Sequence, residues 1–316
     1  MALLADVVLN ANFPASALET ERAVAIADLA LMRDDMYRWP MRLLAAAAFA
    51  GHPYGIPSGG YEQTLAALDA GRLRAWHRVR VLSGATAIAI VGDVDADNAA
   101  ARAAALFTGL TAGQASTVAA PVWPARPVTV SEDRDKAQTA LALAFPAPDR
   151  QDGARWAAEM IAGVASGLGG RFFEELRDKK SLAYTVHAHA SERRRAGTFV
   201  SYIATSPAQE ETARRGLLRE FARLREADVT ERELRLAQEY AIGTHAIRQQ
   251  SGGAVLGEMV DAWMMGSGLG ELNEHDARIR AVTAKAMREV AGTYFDEGRL
   301  VQAVIRGNAT AGPGTA

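Results

Sequence analysis

Two hydrogen-bond donors seven residues apart, Arg177 and Tyr184, are the residues of this sequence whose types and spacing best suit chemistry. The surrounding pattern predicts that the arginine ends a short helix and the tyrosine begins a strand, so their polar tips can converge on one point. A guanidinium and a phenol both donate to a peptide carbonyl oxygen, and in a closed site they would stabilise the oxyanion formed when water attacks. The alternative is structural, with an arginine complementing a helix C-terminus and a half-buried tyrosine.

A pair of carboxylates, Glu21 and Asp28, also stands seven residues apart. Seven residues make two helical turns, so both acids are expected on one helix face, together with Val24, Ala25 and Leu31. Carboxylates on an apolar face need a metal ion, a basic partner or water. The alternative is a face that holds ordinary ion pairs.

Other residues that could bind a metal or phosphate are weaker candidates. His187 and His189 alternate on one strand face, but the sequence offers no third ligand, so an exposed hairpin face is the preferred interpretation. The glycine-rich stretch 166–170 lacks the Lys-Ser/Thr ending of a phosphate-binding loop and is interpreted as a hinge. His245 and His275 are far apart in the sequence and indicate no site.

The composition limits the classes of protein to which this chain can belong. With 316 residues, 49% of them hydrophobic, the chain can form one large or two ordinary domains. A net charge of −2 and a pI near 6.3 give no electrostatic reason to expect nucleic acid as a partner. The absence of cysteine excludes disulfides and thiolate metal sites and fits either cytoplasm or periplasm. No apolar run approaches the roughly 20 residues of a membrane span, and no targeting signal is visible. The compartment therefore stays open.

An internal repeat indicates a duplicated domain. Residues 16–19 and 230–233, which lie 214 positions apart, both have Ser or Thr followed three residues later by Glu. Each is a capping box that should start a helix. At almost the same offset, the strand-like segment 85–93 matches 300–308. A constant offset predicts two homologous domains.

The repeat also sets the predicted domain boundaries. Residues 1–110 are the C-terminal part of the first domain, 111–133 are a linker rich in Ala, Gly, Pro and Ser, and 134–316 are the complete second domain. Because Met1 aligns with about residue 215, roughly 80 residues of the second copy have no counterpart in the first. The first domain is therefore predicted to be incomplete.

The complete second copy predicts the architecture of both. Its pattern indicates a buried strand over 137–145, a helix over 153–164, a short helix over 171–179, and a hairpin of 182–190 with 198–205. Helices alternate with strands through the rest of the chain. Each full copy is expected to be an antiparallel sheet with helices on one face, which is the α+β class.

Several short motifs follow the order and spacing of the insulinase/pitrilysin family of zinc peptidases, which includes the mitochondrial processing peptidase. They are Phe13-Pro14, Glu19-x-Glu21-Arg22, Gly51-His52-Pro53-Tyr54-Gly55, Val91-Gly92-Asp93-Val94-Asp95, Gly169-Gly170, Leu176-Arg177, Leu182-Ala183-Tyr184 and Val282-Thr283. The resemblance covers nearly the whole chain and implies two homologous domains that form half of a clamshell. The family's inverted zinc motif, H-x-x-E-H, is absent from the sequence.

The resemblance implies a role for each candidate residue. Arg177 and Tyr184 correspond to the pair that holds the substrate peptide, which favours their functional interpretation over the structural one. Glu21 corresponds to a glutamate that supports catalysis. Asp28 corresponds to the position of a glutamate zinc ligand; aspartate can bind zinc, but its side chain is one methylene shorter. Without H-x-x-E-H, the chain is expected neither to bind zinc stably nor to hydrolyse peptides alone.

Three functions remain open at this stage. The chain can be the C-terminal portion of a peptidase whose zinc motif lies upstream, or a non-catalytic Arg/Tyr subunit that pairs with a zinc-bearing subunit. It can also be a structural homologue, as core subunits of respiratory complexes are, although retention of Arg177 and Tyr184 argues against this. In the first two cases its partners are a peptide substrate and a second peptidase-like half or zinc-bearing subunit.

Overall fold

The computed structural model of the chain describes residues 1–113, 118–166, 170–178 and 185–308, without the side chains of residues 177 and 178. The helices are α1 (Ala2–Leu9), α2 (Ala15–Asp34), α3 (Arg38–Ala48), α4 (Glu62–Ala66), α5 (Ala70–His77), α6 (Ala96–Leu106), α7 (Arg155–Ser166), α8 (Glu210–Glu226), α9 (Glu231–Arg248), α10 (Gly252–Met265), α11 (Glu271–Ala281) and α12 (Ala284–Tyr294). The strands are β1 (Val128–Arg134), β2 (Thr139–Ala147), β3 (Thr185–Arg193), β4 (Ala196–Thr205) and β5 (Val301–Gly307). Short π-helical segments span Arg78–Leu82 and Phe173–Asp178.

The chain forms two compact units. The helical unit comprises Met1–Arg33, Ser58–Ala119 and Gln249–Asp261, and the sheet unit comprises Asp34–Pro57, Ala120–Arg248 and Ala262–Ala316. These units are defined by contacts, whereas the boundaries at residues 110 and 133 concern homology between two copies. Those boundaries stay a prediction.

One five-stranded sheet, in the order β1-β5-β2-β4-β3, forms the centre of the sheet unit. The pairs β2–β4, β2–β5 and β3–β4 are antiparallel, with Ala142 opposite both Tyr202 and Ala303. β1 pairs with β5 in the parallel direction, so the sheet is mixed. The predicted α+β class is confirmed, and the parallel β1–β5 pair is an addition to the antiparallel sheet expected from the sequence.

Successive side chains of β2 point to opposite faces of the sheet, and both faces are covered. Leu141, Leu143 and Phe145 point into a core packed by α7, α8 and α12, as the predicted helical layer requires. Ala140 and its alternate neighbours point the other way, into a second core that includes Leu44 of α3. Small alanines let a helix pack closely against the sheet. One helix therefore covers the face that the sequence left unassigned.

The hairpin predicted over 182–190 and 198–205 is confirmed for residues 185–190 and 198–205, with a shorter turn than expected, and residues 182–184 lie outside the described part of the chain. β3 runs to Arg193 and β4 begins at Ala196, so two residues connect the strands. Gly197 is needed at the start of β4, because a Cβ there would lie 1.9 Å from the carbonyl oxygen of Pro148.

Two local predictions for the helical unit are wrong. Segment 85–93 forms no strand, and Ile88 and Val91 in it are exposed. A β-rich sequence becomes a strand only where a neighbour satisfies its backbone groups, and no described strand pairs with this segment. Ser16 is not an N-cap, because α2 already begins at Ala15. None of the described helices is both long and apolar enough to cross a bilayer.

Candidate substrate-binding site

The segment that carries Arg177 is anchored in the core of the sheet unit. Residues 173–178 form a π-helical turn, a conformation often found at functional sites. Phe172 and Leu176, four positions apart, are completely buried, whereas Glu174 is exposed. The Phe172 ring lies 5.3 Å from that of Phe221 on α8. The segment is thus held by apolar packing on one side and leaves its other side to solvent.

A charge-assisted contact fixes the start of this segment to α9. The Nε and Nη2 atoms of Arg171 donate to the two carboxylate oxygens of Glu233, at 2.5 and 2.8 Å. Glu233 also accepts from the backbone N–H of Thr230 at 2.8 Å, and its own N–H donates to the Thr230 hydroxyl at 3.2 Å. The capping box predicted over 230–233 is therefore confirmed, and its glutamate has a second role in holding Arg171. Bidentate contacts of this kind fix orientation as well as distance.

This contact predicts an acid-dependent loss of stability. Hydrogen bonds from Arg171 lower the pKa of Glu233 to about 2, from its ordinary value of 4.5. Because the pKa of Glu233 is lower in the folded state, its ionised carboxylate contributes fully to the free energy of unfolding above pH 4.5. This contribution is lost as the pH falls toward 2. Because the Glu233 side chain is 29% exposed, we expect a contribution of about 1–2 kcal/mol, less than the full pKa shift would give.

Urea unfolding measured between pH 6 and pH 2.5 tests this expectation. The wild-type unfolding free energy should fall by about 1–2 kcal/mol more than that of Glu233→Gln over this range. Glu231→Gln is the matched control, because Glu231 is exposed on the same helix turn and pairs only with Arg235 among the contacts described for it. Parallel pH profiles for wild type and Glu233→Gln would contradict the assigned role.

A cavity of about 630 Å³ lies beside this anchored segment. It is lined by Gly163, Val164, Gly170, Arg171, Glu174, Thr230, Arg232, Glu233, Leu236, Ala237 and Tyr240. α7 and α9 meet closely at its floor, since a Cβ on Gly163 would lie 3.2 Å from the Cβ of Ala237. The lining mixes charged groups with apolar side chains, which suits a peptide more than a purely apolar ligand.

β3 is an edge strand and borders the same region. The sheet order leaves one side of β3 without a partner among the described strands. On that side the backbone N–H of Ala188 donates to the Ser166 hydroxyl at the end of α7. An edge strand can accept an extended peptide as an additional strand. Ser166 occupies this edge at Ala188 and leaves the N-terminal residues of β3 without such a contact from α7.

The two substrate-binding candidates are only partly covered by the structure. The backbone of Arg177 lies in the last turn of the π-helical segment. Tyr184 lies outside the described residues and directly precedes Thr185, the first residue of β3. Their roles as a substrate-holding pair stay a prediction.

The two carboxylates proposed from the sequence lie on α2 of the helical unit. Glu21 and Asp28 are both exposed, and so are Val24 and Leu31 on the helix face that the acids were predicted to share, at 51% and 67%. α2 contains no buried residue, so in the described part of the chain the two acids are not dehydrated by burial.

These two side chains do not fit a zinc ion by themselves. Within the described residues, the group able to hold a metal contains neither of them. Two exposed carboxylates without imidazole or thiolate ligands lack the donor set of a zinc centre. Asp28 as a further ligand beside histidines from elsewhere, and Glu21 as a supporting acid, stay predictions. Their neighbour Arg22 instead donates to the carbonyl oxygens of Leu65 and Leu68, at 3.2 and 2.5 Å.

His187 and His189 are half-buried, so the expected exposed hairpin face is wrong. The His187 ring lies 5.0 Å from Tyr37 and 5.3 Å from Tyr202. Burial lowers the pKa of both imidazoles, and His189 lowers that of His187 further. Burial therefore favours the neutral form of both side chains. Among the described residues, the group able to hold a metal includes neither histidine.

A different histidine pair, which the sequence did not single out, does come together. His245 on α9 and His275 on α11 stack with their ring centroids 3.8 Å apart, and Asp276 lies beside both. Thirty residues separate the two histidines, so no helical or strand spacing could have indicated the pair. Only the packing of α9 on α11 creates it.

Comparison with known proteins agrees with this fold. Residues 67–240 match the family model described as "Peptidase M16 inactive domain". An uncharacterized zinc protease of Mycobacterium leprae is 29% identical over 283 residues, which cover 86% of this chain and 60% of that protein. This chain thus spans about three-fifths of that relative's length.

Two solved structures have the same fold. The crystal structure of a peptidase M16 inactive domain from Pseudomonas fluorescens has a TM-score of 0.89 and 22% identity, covering 98% of this chain and 75% of that one. A protease from Helicobacter pylori has a TM-score of 0.81 and 16% identity, covering 93% and 73%. With a family match over more than half of its residues, this chain belongs to the peptidase M16 family, the insulinase/pitrilysin family of zinc peptidases.

Proposed function

We propose that this chain is part of a zinc metallopeptidase that hydrolyses peptides, and that it contributes the substrate-holding donors Arg177 and Tyr184 but not the catalytic metal. The observation that carries this proposal is the family match over residues 67–240. It includes both donors and occurs in a sequence without H-x-x-E-H. The printed name of the Mycobacterium leprae relative, a zinc protease, supports the reaction class.

The surroundings of Arg177 support a role in holding an extended peptide. Its segment is anchored by Phe172, Leu176 and the Arg171–Glu233 contact, so the backbone of Arg177 belongs to a segment that is packed into the sheet unit. A peptide that pairs with the edge of β3 would extend toward the residue before Thr185, which is Tyr184. The two side chains would orient the scissile carbonyl and stabilise the negative charge that develops on its oxygen.

The metal and the base that activates water must come from outside these 316 residues. Glu21 and Asp28 do not fit a zinc ion alone, and the inverted motif is absent. The source is either another segment of the same polypeptide or a zinc-bearing partner subunit. Exposed apolar side chains in the helical unit, such as Leu3 and Val7 at 77% and 61% exposure, support the presence of a covering element.

An activity assay on two preparations tests the proposal. The purified 316-residue chain, with Zn²⁺ added, is expected to cleave no peptide from a fluorogenic peptide mixture. The form that the native host makes, either a longer polypeptide or a complex, is expected to cleave the same mixture and to lose activity with a chelator.

Two results would contradict the proposed function. Zinc-dependent cleavage by the isolated chain that Tyr184→Phe abolishes would falsify the proposal that it lacks the catalytic centre. A native form that cleaves no peptide would favour the scaffold function. The intact mass of the native form separates the other two arrangements. A mass well above 33.6 kDa indicates a longer peptidase, and a mass that matches this chain indicates a non-catalytic subunit.

A further inference from the structure

Three side chains outside the candidate substrate-binding site have the chemistry of a metal site. The Nδ1 atom of His275 lies 3.1 Å from the Oδ1 atom of Asp276, and the Nδ1 atom of His245 lies 3.6 Å from the same oxygen. One ligand atom from each residue can be chosen so that all three lie within 4.8 Å of one another. Two imidazole nitrogens and a carboxylate oxygen thus converge on one small volume.

The helices that carry these ligands are held in a defined arrangement. The side-chain amide of Gln238 on α9 donates to the carbonyl oxygens of Ile279 and Val282, at 3.0 and 3.1 Å, at the C-terminal end of α11. On the other side, the Trp156 ring of α7 lies edge-on to His275 with centroids 5.6 Å apart. The two helices that carry His245 and His275 are therefore held together by these contacts, and a metal site requires such support for its ligands.

The three proposed ligand side chains differ in solvent exposure, which would let a metal ion enter from one side. The two histidine side chains are each 17% exposed, whereas that of Asp276 is 54% exposed. The imidazoles are largely shielded from solvent, and the carboxylate stands at the open side. An ion can therefore enter from solvent and keep a water molecule as a further ligand.

We propose that His245, His275 and Asp276 form a binding site for a divalent transition-metal ion, with Zn²⁺ as the best match. Zinc accepts imidazole nitrogen and carboxylate oxygen at about 2.0–2.2 Å, so its ligand atoms stand about 3.3 Å apart. Side-chain rotations that shorten the largest separation close the site. The hard ions Mg²⁺ and Ca²⁺, which prefer oxygen ligands, do not match two imidazoles.

Two further titratable groups interact with the ligand side chains. Glu159 on α7 interacts electrostatically with His275, and burial raises the pKa of this carboxyl group. Arg280 acts on Asp276 as a competing positive charge at the exposed side.

This site differs from the family's catalytic zinc centre, because it uses neither Glu21 nor Asp28 nor an inverted motif. The metal would join the end of α9 to α11 and would stabilise the sheet unit. The proposal does not depend on the peptidase function, because its measurements do not involve cleavage.

Zinc binding by the full chain tests the proposal. Isothermal titration calorimetry at pH 7.5 is expected to show one Zn²⁺ per chain, and His245→Gln and His275→Gln should each weaken binding at least 100-fold. Excess Zn²⁺ should raise the melting temperature of the wild type by roughly 5 °C and leave that of the variants unchanged. Co²⁺ should give a visible absorption band in the wild type that both variants lose.

Two control variants locate the bound ion. The double variant His187→Gln/His189→Gln removes the other histidine pair, and Glu21→Gln/Asp28→Asn removes the carboxylates of α2; both should bind Zn²⁺ as the wild type does. Melting temperatures without metal show whether each variant is folded. The proposal is overturned if folded His245→Gln and His275→Gln bind Zn²⁺ as the wild type does, if the α2 variant abolishes binding, or if the wild type binds no Zn²⁺. In each of these cases Asp276 is simply a hydrogen-bond acceptor for the imidazoles.

Discussion

Replacing Phe221 by alanine is expected to destabilise the sheet unit by about 3–5 kcal/mol. Phe221 lies on α8 and is only 2% exposed. Its ring centroid lies 4.9, 5.3, 5.8 and 5.0 Å from those of Phe145, Phe172, Phe199 and Phe295. Truncation removes both the buried area and the aromatic contacts, and rings fixed in strands and helices cannot close the cavity.

The measurement is equilibrium urea unfolding, with Phe221→Leu as the graded control. Leucine fills part of the space, so Phe221→Leu should lower the free energy of unfolding by less than half as much as Phe221→Ala does. Hydrogen exchange over residues 170–178 should also accelerate in Phe221→Ala, because Phe172 packs on the removed ring. If Phe221→Ala lowers the free energy of unfolding by less than about 1 kcal/mol and leaves hydrogen exchange unchanged, this aromatic cluster does not anchor residues 170–178.

The sequence predicted the parts of the fold that depend on local pattern. Alternation along 137–145 and the two β-rich runs of the hairpin located β2, β3 and β4, because burial on a sheet imposes a period of two. The capping box at 230–233 located the start of α9, because its hydrogen bonds join residues three apart. These signals are contained within a few consecutive residues.

What the sequence did not predict depends on partners distant in the chain. Segment 85–93 has strand composition but no described strand beside it, and composition alone cannot show this. α3 covers the second face of the sheet through contacts with residues about 100 positions later and beyond. The stacked His245 and His275 exist only because α9 packs on α11. Local pattern carries no information on such contacts.

In the candidate site, too, the sequence predicted local features but not the contacts between distant residues. Arg177 and Tyr184 were identified from spacing and family resemblance, whereas the means of fixing them were not. Glu233 was identified as a helix cap, yet its contact with Arg171, 62 positions earlier, is what connects α9 to the Arg177 segment. The cap and the anchor share one carboxylate, so helix α9 and the proposed substrate-holding segment are coupled through it.

Removal of either proposed oxyanion donor, Arg177 or Tyr184, has the largest expected effect on activity. In the proposed zinc-containing peptidase, Arg177→Ala and Tyr184→Phe are each expected to lower kcat about 10²–10³-fold, which is the usual effect of removing one oxyanion donor. KM should change much less, because negative charge on the carbonyl oxygen develops only in the transition state. Zinc content should be unchanged, since neither residue is proposed as a metal ligand.

Matched controls separate this role from a structural one. Arg235→Ala removes an exposed arginine of α9 that pairs with Glu231, and Tyr294→Phe removes a hydroxyl that contacts Asp152 at 3.4 Å. Both should keep kcat within about twofold of the wild type, as is typical of surface substitutions away from the reacting atoms. If Arg177 only complements a helix C-terminus, Arg177→Ala will lower the melting temperature and leave kcat unchanged. A fall in kcat at constant zinc content and constant melting temperature therefore requires contact with the reacting peptide, which a structural role for Arg177 does not provide.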